Sequence, residues 1–366
     1  MLNVIAGDTV YFRGGNYYPD NNADGSFPTW YPRASGTEGS PILIIAYTGE
    51  TPVIYQPSDG TAGAGVAQQD WIIWDGFTFN KTTTTVANGN WRCYMGSYNR
   101  VRNSIFNGNV AANSQNQVGV YVNQCDNTYV NNNRFDGFGP ANGVNTGATW
   151  FMETSHGYFY NNTVTNSANG VQTKSAFSNL YAYNNFFDNV TIPIHNQQQN
   201  TPITGFFYYQ NVAILPSGGT FLYAFDPALA YTNTQIYNNS VYCVGACTFS
   251  WHGNNNTQTS TYWNNVIHGA SGTTTFERWP SGAGKPDYAD YNDFYTAGTA
   301  NWRYDATVYT AIADWRTATN FDNNSVTTDP GFVNAGGTTA ADYKRSSYPT
   351  NGRGGAYASV MGAYIT

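Results

Sequence analysis

The sequence predicts an all-β fold, a single-domain parallel β-helix in which short strands coil around one axis. An asparagine-containing phrase recurs at intervals of 23 to 30 residues. Short runs of Val, Ile, Phe, Tyr and Thr that alternate with polar residues flank each phrase, which is typical of strands. Only 10% of the residues are charged and 17% are aromatic, a composition unsuited to a helical or a disordered chain.

The repeated phrase is the main structural signal. Successive intervals between the phrases are 29, 30, 23, 26, 28 and 26 residues, and no helical stripe lies between them. A unit this short cannot bury its own apolar face, so it must stack on its neighbours, with equivalent strands ~4.8 Å apart. We therefore predict a ladder of side-chain amides inside a turn of each coil. The phrases lie near Asn103, Asn132, Asn162, Asn185, Asn211, Asn239 and Asn265.

Charge and hydropathy exclude two classes of partner. The net charge is −7, and no cluster of Lys and Arg is present to bind nucleic acid. No apolar run approaches the roughly 18 residues of a membrane span. The first residues, "MLNVIAGDTVYF", have neither the basic region nor the cleavage site of a signal peptide, and we expect a secreted or extracellular protein from which that peptide was trimmed. Cys243 and Cys247 are close enough in sequence to form a disulfide, and they lack the further ligands of a zinc site.

Alternation along the strands predicts which side chains face outward. The outward positions form a groove rich in aromatic rings, across which an extended polysaccharide can lie and stack its sugars. We predict that substrate is bound there by Tyr121, Asn123, Phe151, Gln172, Tyr223, Phe225, Trp251, His252, Arg278 and Trp279.

Three ionisable residues are spaced by 21 residues: Glu153, Lys174 and His195. This spacing predicts that they stack on consecutive coils, each ~5 Å from the next. An acid, a base and an imidazole in a row can divide proton transfer, so we predict that all three are catalytic. The alternative is a structural charge ladder, since exposed ion pairs are common and contribute ~1 kcal/mol or less.

Several phrases resemble known proteins. "AGDTVYFRGGNYYP", "DWIIWDGFTFN", "ADWRTATNFDNNSVTTDPGFVN" and "MGAYIT" are similar to segments of secreted right-handed β-helix proteins of the pectate-lyase-like group, which act on polysaccharides. Together they bracket nearly the whole chain, so one domain over 1–366 is expected, with a C-terminal cap at about 300–366. Within the cap, residues 307–318 predict the one short helix, with Asp305 as its N-cap.

A shorter motif resembles the alginate lyase and chondroitinase B family. In "TKSAFSN", Lys174 and Ser175 match the family's Lys-Ser-Ser phrase, while Ala176 departs from it, and His195 stands where the family has arginine. The resemblance implies a lyase that cleaves a uronate-containing glycan by β-elimination, with Lys174 as base. His195 would assist the leaving oxygen, and Glu153 would bind Ca²⁺. A carboxylate beside Lys174 raises the lysine pKa, so a base would need that cation or strong desolvation.

Two other functions remain open. A glycoside hydrolase needs two carboxylates across a cleft, and Glu153 with Asp226 or Glu277 is the available pairing. A non-catalytic polysaccharide-binding or adhesin protein would use the aromatic residues alone.

Overall fold

We describe the chain from a computed structural model. The described residues are 2–21, 27–57, 61–81, 89–109, 117–139, 146–197, 203–225, 231–252, 258–279, 286–346 and 361–363. They form two compact units, Met1–Leu180 (unit 1) and Tyr181–Thr366 (unit 2). Each unit is described by itself, and the single-domain organisation stays a prediction. The described residues contain no helix that is long and apolar enough to cross a membrane.

Unit 1 is built from short strands. They are β1 (Thr9–Phe12), β2 (Gly15–Tyr17), β3 (Ile42–Ala46), β4 (Pro52–Tyr55), β5 (Ala64–Ala67), β6 (Ile72–Asp75), β7 (Thr78–Asn80), β8 (Trp91–Tyr94), β9 (Arg100–Arg102), β10 (Ile105–Asn107), β11 (Val118–Asn123), β12 (Thr128–Asn131), β13 (Arg134–Asp136), β14 (Gly147–Met152), β15 (Ser155–Tyr160) and β16 (Thr163–Lys174).

Strand β17 (Ser178–Tyr183) runs across the boundary, and unit 2 continues the pattern. Its strands are β18 (Phe186–Gln197), β19 (Ile203–Tyr209), β20 (Val212–Leu215), β21 (Thr220–Phe225), β22 (Tyr231–Tyr237), β23 (Ser240–Cys243), β24 (Cys247–His252), β25 (Gln258–Trp263), β26 (Val266–Gly269), β27 (Thr273–Trp279), β28 (Tyr288–Asp290), β29 (Asp293–Thr296), β30 (Thr299–Tyr304) and β31 (Thr307–Tyr309). The helix α1 (Ile312–Thr319) and a 3-10 helix (Ala340–Tyr343) follow.

Each coil has three faces, and parallel pairing from coil to coil builds each face. In unit 1 the third face pairs β5, β8, β11, β14 and the end of β16 in that order. In unit 2 it pairs the end of β18 with β21, β24, β27 and β30. The first face of unit 1 carries β6, β9, β12 and β15, and that of unit 2 carries β19, β22, β25 and β28. The predicted parallel β-helix is confirmed.

The predicted amide ladder is present inside the turn before the second face, which in unit 2 pairs the start of β18 with β20, β23, β26 and β29. In unit 2, Asn185 Nδ2 donates to Asn211 Oδ1 at 3.0 Å, and Asn211 repeats this contact with Asn239 at 3.0 Å. The series continues through Asn265 and Asn292, and it ends on the carboxylate of Asp322. The residue before each ladder position has positive φ, as at Asn238 (53°) and Asn264 (56°), a conformation that Asn tolerates. Each phrase is thus a left-handed residue followed by a ladder residue.

Aromatic rings also stack along the solenoid interior. Phe79, Phe106 and Phe135 are fully buried, with ring centroids 4.8 and 4.7 Å apart. Two disulfides are formed, Cys243–Cys247 across a tight loop and Cys93–Cys125 between successive coils.

The predicted C-terminal helix is wrong in its first part. Thr307, Val308 and Tyr309 form β31, which pairs antiparallel with β30, because β-branched and aromatic residues favour strands. The helix α1 begins after N-cap Ala311, while Asp305 lies in the turn before β31 with φ 55°. Trp315, on the buried side of α1, donates from Nε1 to Asp322 Oδ2 at 3.0 Å. The helix is thereby anchored to the end of the asparagine ladder.

Candidate functional site

The third face of unit 1 carries a row of large polar and aromatic side chains. Register aligns Arg92 with Tyr121, Tyr121 with Trp150, and Trp150 with Gln172. A second row, two residues further along each strand, contains Tyr94, Asn123, Met152 and Lys174. Residues between the rows, such as Val122, are fully buried in the interior. The two rows therefore point away from the interior of the coil, and we call them the unit 1 site. Most of their side chains are buried, and the partly exposed ones are Tyr94, Met152 and Lys174.

The aromatic faces of this site are covered by cations. Tyr121 and Trp150 stack with centroids 5.3 Å apart. The Arg92 guanidinium lies 5.1 Å from the Tyr121 centroid, and Lys174 Nζ lies 4.9 Å from the Trp150 centroid. The sequence predicts that sugars stack on such rings, but here guanidinium and ammonium groups already occupy faces of these two. Stacking of sugars on these two rings is therefore restricted.

Lys174 is half-buried, and no hydrogen bond or salt bridge of its ammonium occurs among the described residues. Burial lowers the pKa of Lys174 from its ordinary value, because removing an ammonium from water disfavours the charged form. The adjacent ring of Trp150 attracts the cation without accepting its proton. The geometry therefore makes Lys174 easier to deprotonate than an exposed lysine.

The predicted stacking of Glu153 on Lys174 is wrong. Register pairs Lys174 with Met152, and Glu153 follows the end of β14 with φ 50°. The Glu153 carboxylate instead accepts a hydrogen bond from Gln124 Nε2 at 2.7 Å. A shift of one residue moves a side chain off its face of the sheet. The carboxylate that would have raised the Lys174 pKa is therefore not its partner across the strands.

Two buried polar side chains of the unit 1 site have atoms without a hydrogen-bond partner. Gln172 is fully buried, and both Oε1 and Nε2 of its amide are unpaired within the described part of the chain. The same holds for Nε1 of Trp150, its neighbour across the strands. Leaving such groups unpaired costs about 1–3 kcal/mol each. A ligand or water that supplies hydroxyls would satisfy them.

Tyr121 and Asn123 form a pair beside Lys174. Asn123 Nδ2 donates to the Tyr121 hydroxyl at 3.1 Å, and that hydroxyl donates to Met152 Sδ at 3.5 Å. Burial raises the pKa of Tyr121, so its hydroxyl stays protonated at neutral pH. These contacts fix the position of the phenol on the outer surface.

Unit 2 carries a comparable row on its own third face. Register aligns His195, Tyr223, Trp251, Arg278 and Arg303. Tyr223 and Trp251 stack with centroids 4.1 Å apart, and the Arg278 guanidinium lies 5.0 Å from the Trp251 centroid. His195 is buried and packs edge-on against Tyr223 at 5.3 Å. His195 thus belongs to unit 2 and Lys174 to unit 1, so the predicted catalytic role of His195 stays a prediction.

Three residues that we expected in the groove lie inside the coils. Phe151 is fully buried against Phe177, with centroids 6.1 Å apart. His252 and Trp279 are buried and stack on each other at 4.4 Å. Each follows an outward residue, and adjacent residues of a strand point to opposite faces. Phe225 ends β21, and its side chain lies outside the described part of the structure, as does Asp226.

A carboxyl group is buried beside these rings. Glu277 Oε2 accepts a hydrogen bond from Trp279 Nε1 at 2.9 Å, while Glu277 Oε1 is buried without a partner among the described residues. Burial raises the pKa of Glu277 well above its ordinary value. His252 also lies inside, where its Nε2 is 2.6 Å from the Tyr262 hydroxyl, and burial lowers its pKa to about 3. Glu277 is therefore an interior acid and not one half of a hydrolase pair.

We predict that Glu277→Gln stabilises the protein at alkaline pH. The unfolded carboxyl releases its proton above its ordinary pKa, but the folded one holds it, so wild-type stability falls as pH rises from about 4.5 toward the raised pKa. Each pH unit in that window costs ~1.4 kcal/mol. Glutamine keeps the acceptor for Trp279 and removes this loss. The free energy of unfolding, measured by denaturant titration, should be similar for variant and wild type at pH 4.5. At pH 8 it should be higher for the variant. The exposed Glu38→Gln should change neither value, and equal pH slopes for wild type and Glu277→Gln would contradict the prediction.

Calcium was expected at Glu153. The described residues contain no group of three or more His, Cys, Asp or Glu side chains that could hold a metal ion. The Glu153 carboxylate is exposed and accepts a hydrogen bond from Gln124 Nε2. Calcium binding at Glu153 therefore stays a prediction.

Three residues of the unit 1 site were not predicted from the sequence, namely Arg92, Trp150 and Met152. Arg92, Tyr121 and Trp150 are separated by 29 residues each, the same interval as that between the first two asparagine phrases. Applying that interval to Tyr121 would have found both of its neighbours. The next interval, from Trp150 to Gln172, is 22 residues, and this change of coil length displaced the predicted register.

The fold and the two outer rows define a parallel β-helix protein with a polar and cationic third face. No protein-family model matches the sequence, and no curated protein sequence matches it. Among solved structures, the chain is similar to pectate lyase Pel9A, with a TM-score of 0.55, 15% identity, and coverage of 99% of this chain and 88% of that chain. A mutant tailspike protein of E. coli bacteriophage HK620 in complex with a pentasaccharide is also similar, with a TM-score of 0.46, 11% identity, and coverage of 88% and 72%. The likeness to Pel9A shows the fold, a right-handed parallel β-helix, as predicted.

Proposed function

We propose that this protein is a polysaccharide lyase that cleaves a uronate-containing glycan by β-elimination, with Lys174 as the base. The observation that carries the proposal is the environment of Lys174. It stands on the outer face, its pKa is lowered by burial, and it has no acidic partner among the described residues. The likeness in fold to a pectate lyase supports the polysaccharide as substrate. We also propose that the protein is secreted.

The proposed reaction is a β-elimination. Neutral Lys174 takes the proton from the carbon α to the uronate carboxyl, and the C–H electrons form a carbon–carbon double bond. The bond from the β carbon to the glycosidic oxygen breaks, and that oxygen takes a proton from a general acid or water. Arg92, at the far end of the Tyr121–Trp150 stack, supplies a positive charge for the substrate carboxylate. The Gln172 amide and Trp150 Nε1 are buried beside this site, so sugar hydroxyls would reach them only through a local rearrangement.

A panel of acidic and neutral polysaccharides tests the reaction type. Lyase action produces new reducing ends together with an unsaturated product that absorbs in the near ultraviolet. A hydrolase would produce reducing ends without that absorbance, and a binding protein would produce neither while retaining affinity. Reducing ends without absorbance on every cleaved polymer would overturn the lyase proposal.

A further inference from the structure

The third face of unit 2 carries two adjacent rows of partly exposed polar side chains. The row that contains Tyr223, Trp251, Arg278 and Arg303 lies beside a row of hydroxyl and amide groups. Equivalent positions on successive strands are ~4.8 Å apart. The second row consists of Thr220, Thr248, Thr275 and Asn301.

Two positive charges meet at one end of this surface. Arg278 and Arg303 are direct neighbours across β27 and β30. The salt bridges among the described residues use Arg13, Arg102, Arg134 and Arg345, so neither of these two arginines is neutralised by one. Burial and the proximity of Arg303 lower the pKa of Arg278. Within the described ranges, two adjacent guanidiniums without a salt-bridge partner are a local exception in a chain whose net charge is −7.

Ring contacts at Trp251 leave little aromatic face for a sugar, and the guanidinium of Arg303 donates from Nε to the carbonyl of Asp305 at 3.0 Å. One face of Trp251 is stacked on Tyr223 and another contact is made by Arg278 at 5.0 Å. A guanidinium carries several N–H donors at its edge, and these can form paired hydrogen bonds with a carboxylate. Recognition on this surface therefore depends on charge and hydrogen bonds more than on sugar stacking.

From these observations we infer that the third face of unit 2 is a binding site for an acidic polysaccharide, whose carboxylates pair with Arg278 and Arg303 and whose hydroxyls contact the threonine row. The inference rests on the proposed function for the class of polymer, and it adds that the substrate is selected by its negative charge. It requires no cleavage, so it can fail separately from the lyase proposal.

The test compares polygalacturonate with its fully methyl-esterified form, which has the same rings without the charge. Binding is measured by isothermal titration calorimetry in a Lys174→Ala background, where the proposed cleavage is absent. Arg278→Gln with Arg303→Gln should weaken polygalacturonate binding by about tenfold or more, since two charge-assisted contacts are lost. Binding of the ester should be weak in the parent and unchanged in the variant. Added salt should weaken polygalacturonate binding in the parent and have less effect in the variant.

Two controls separate charge from folding. Arg278→Lys with Arg303→Lys keeps both charges but loses the paired donors, so its affinity should lie between those of the parent and the glutamine variant. Arg134→Gln removes an exposed arginine of β13 and should retain all of the affinity. Unchanged polygalacturonate binding by the glutamine variant, or an equal loss for the ester, would overturn the inference. If the wild type yields no unsaturated product but the glutamine variant still loses acid-selective binding, the lyase proposal fails and this one stands.

Discussion

Lys174→Ala is expected to abolish formation of the unsaturated product. Loss of a general base typically lowers the rate by about 10²–10⁴-fold, and Lys174 is the amine that burial prepares for this role on the unit 1 site. Polymer binding should persist, because Arg92, Trp150 and Gln172 remain on the same face. The measurements are near-ultraviolet absorbance for product and calorimetry for binding, and exposed Lys344→Ala is the matched lysine control.

Lys174→Arg distinguishes a base from a structural cation. Arginine restores the positive charge over Trp150 but cannot deprotonate in the working pH range. A base role predicts that this variant is as inactive as Lys174→Ala, whereas a cation that only packs on Trp150 would be replaced by arginine with activity retained. In the wild type, the rate should rise with pH as Lys174 loses its proton and should level off above its lowered pKa. Full activity of the arginine variant would contradict the assignment.

The fold was predictable because every repeat of the sequence carries the same pattern of strands and asparagine turn. Each coil repeats the same local choice, a left-handed residue such as Asn238 followed by a ladder residue such as Asn239. An error in one coil leaves the others intact, so the parallel β-helix follows from the sequence even with uneven intervals. The amide ladder was predictable for the same reason, since only an in-register stack pairs each Asn with the next.

The site was predictable only where the alternation of inward and outward side chains along a strand was known. Alternation correctly places Lys174 with Gln172 on one face, but it cannot say which residue of the preceding coil lies opposite. Equal spacings of 21 residues, from Glu153 to Lys174 and from Lys174 to His195, predicted that Glu153 pairs with Lys174. In the structure β14 ends at Met152, and Met152 takes that position. The partner across strands depends on where each strand begins, and that depends on the loops between the faces. The lowered pKa of Lys174 could not be predicted from the sequence either, because it results from burial, and burial depends on how the coils pack.

Asn239→Ala, which breaks the asparagine ladder, should cause a large loss in the free energy of unfolding. The Asn239 side chain accepts hydrogen bonds from the backbone N–H and the amide of Asn211, at 3.1 and 3.0 Å. It also donates to Asn265 Oδ1 at 2.9 Å and to the carbonyl of Tyr208 at 3.0 Å. Asn239→Ala leaves these buried groups unpaired, at about 1–3 kcal/mol each. We expect a loss of about 3 kcal/mol or more in the free energy of unfolding, measured by denaturant titration.

Asn323→Ala is the matched control for this experiment. Asn323 is exposed and its amide donates to the carbonyl of Asn320 at 3.2 Å, so its loss should change stability by less than about 0.5 kcal/mol. Asn239→Asp adds a second test, because it keeps the acceptor for Asn211 but replaces the donor with a buried carboxyl. That variant should lose stability further as pH rises above the ordinary carboxyl pKa. A value for Asn239→Ala close to that of Asn323→Ala would mean that the amides accompany the stacking of the coils without stabilising it.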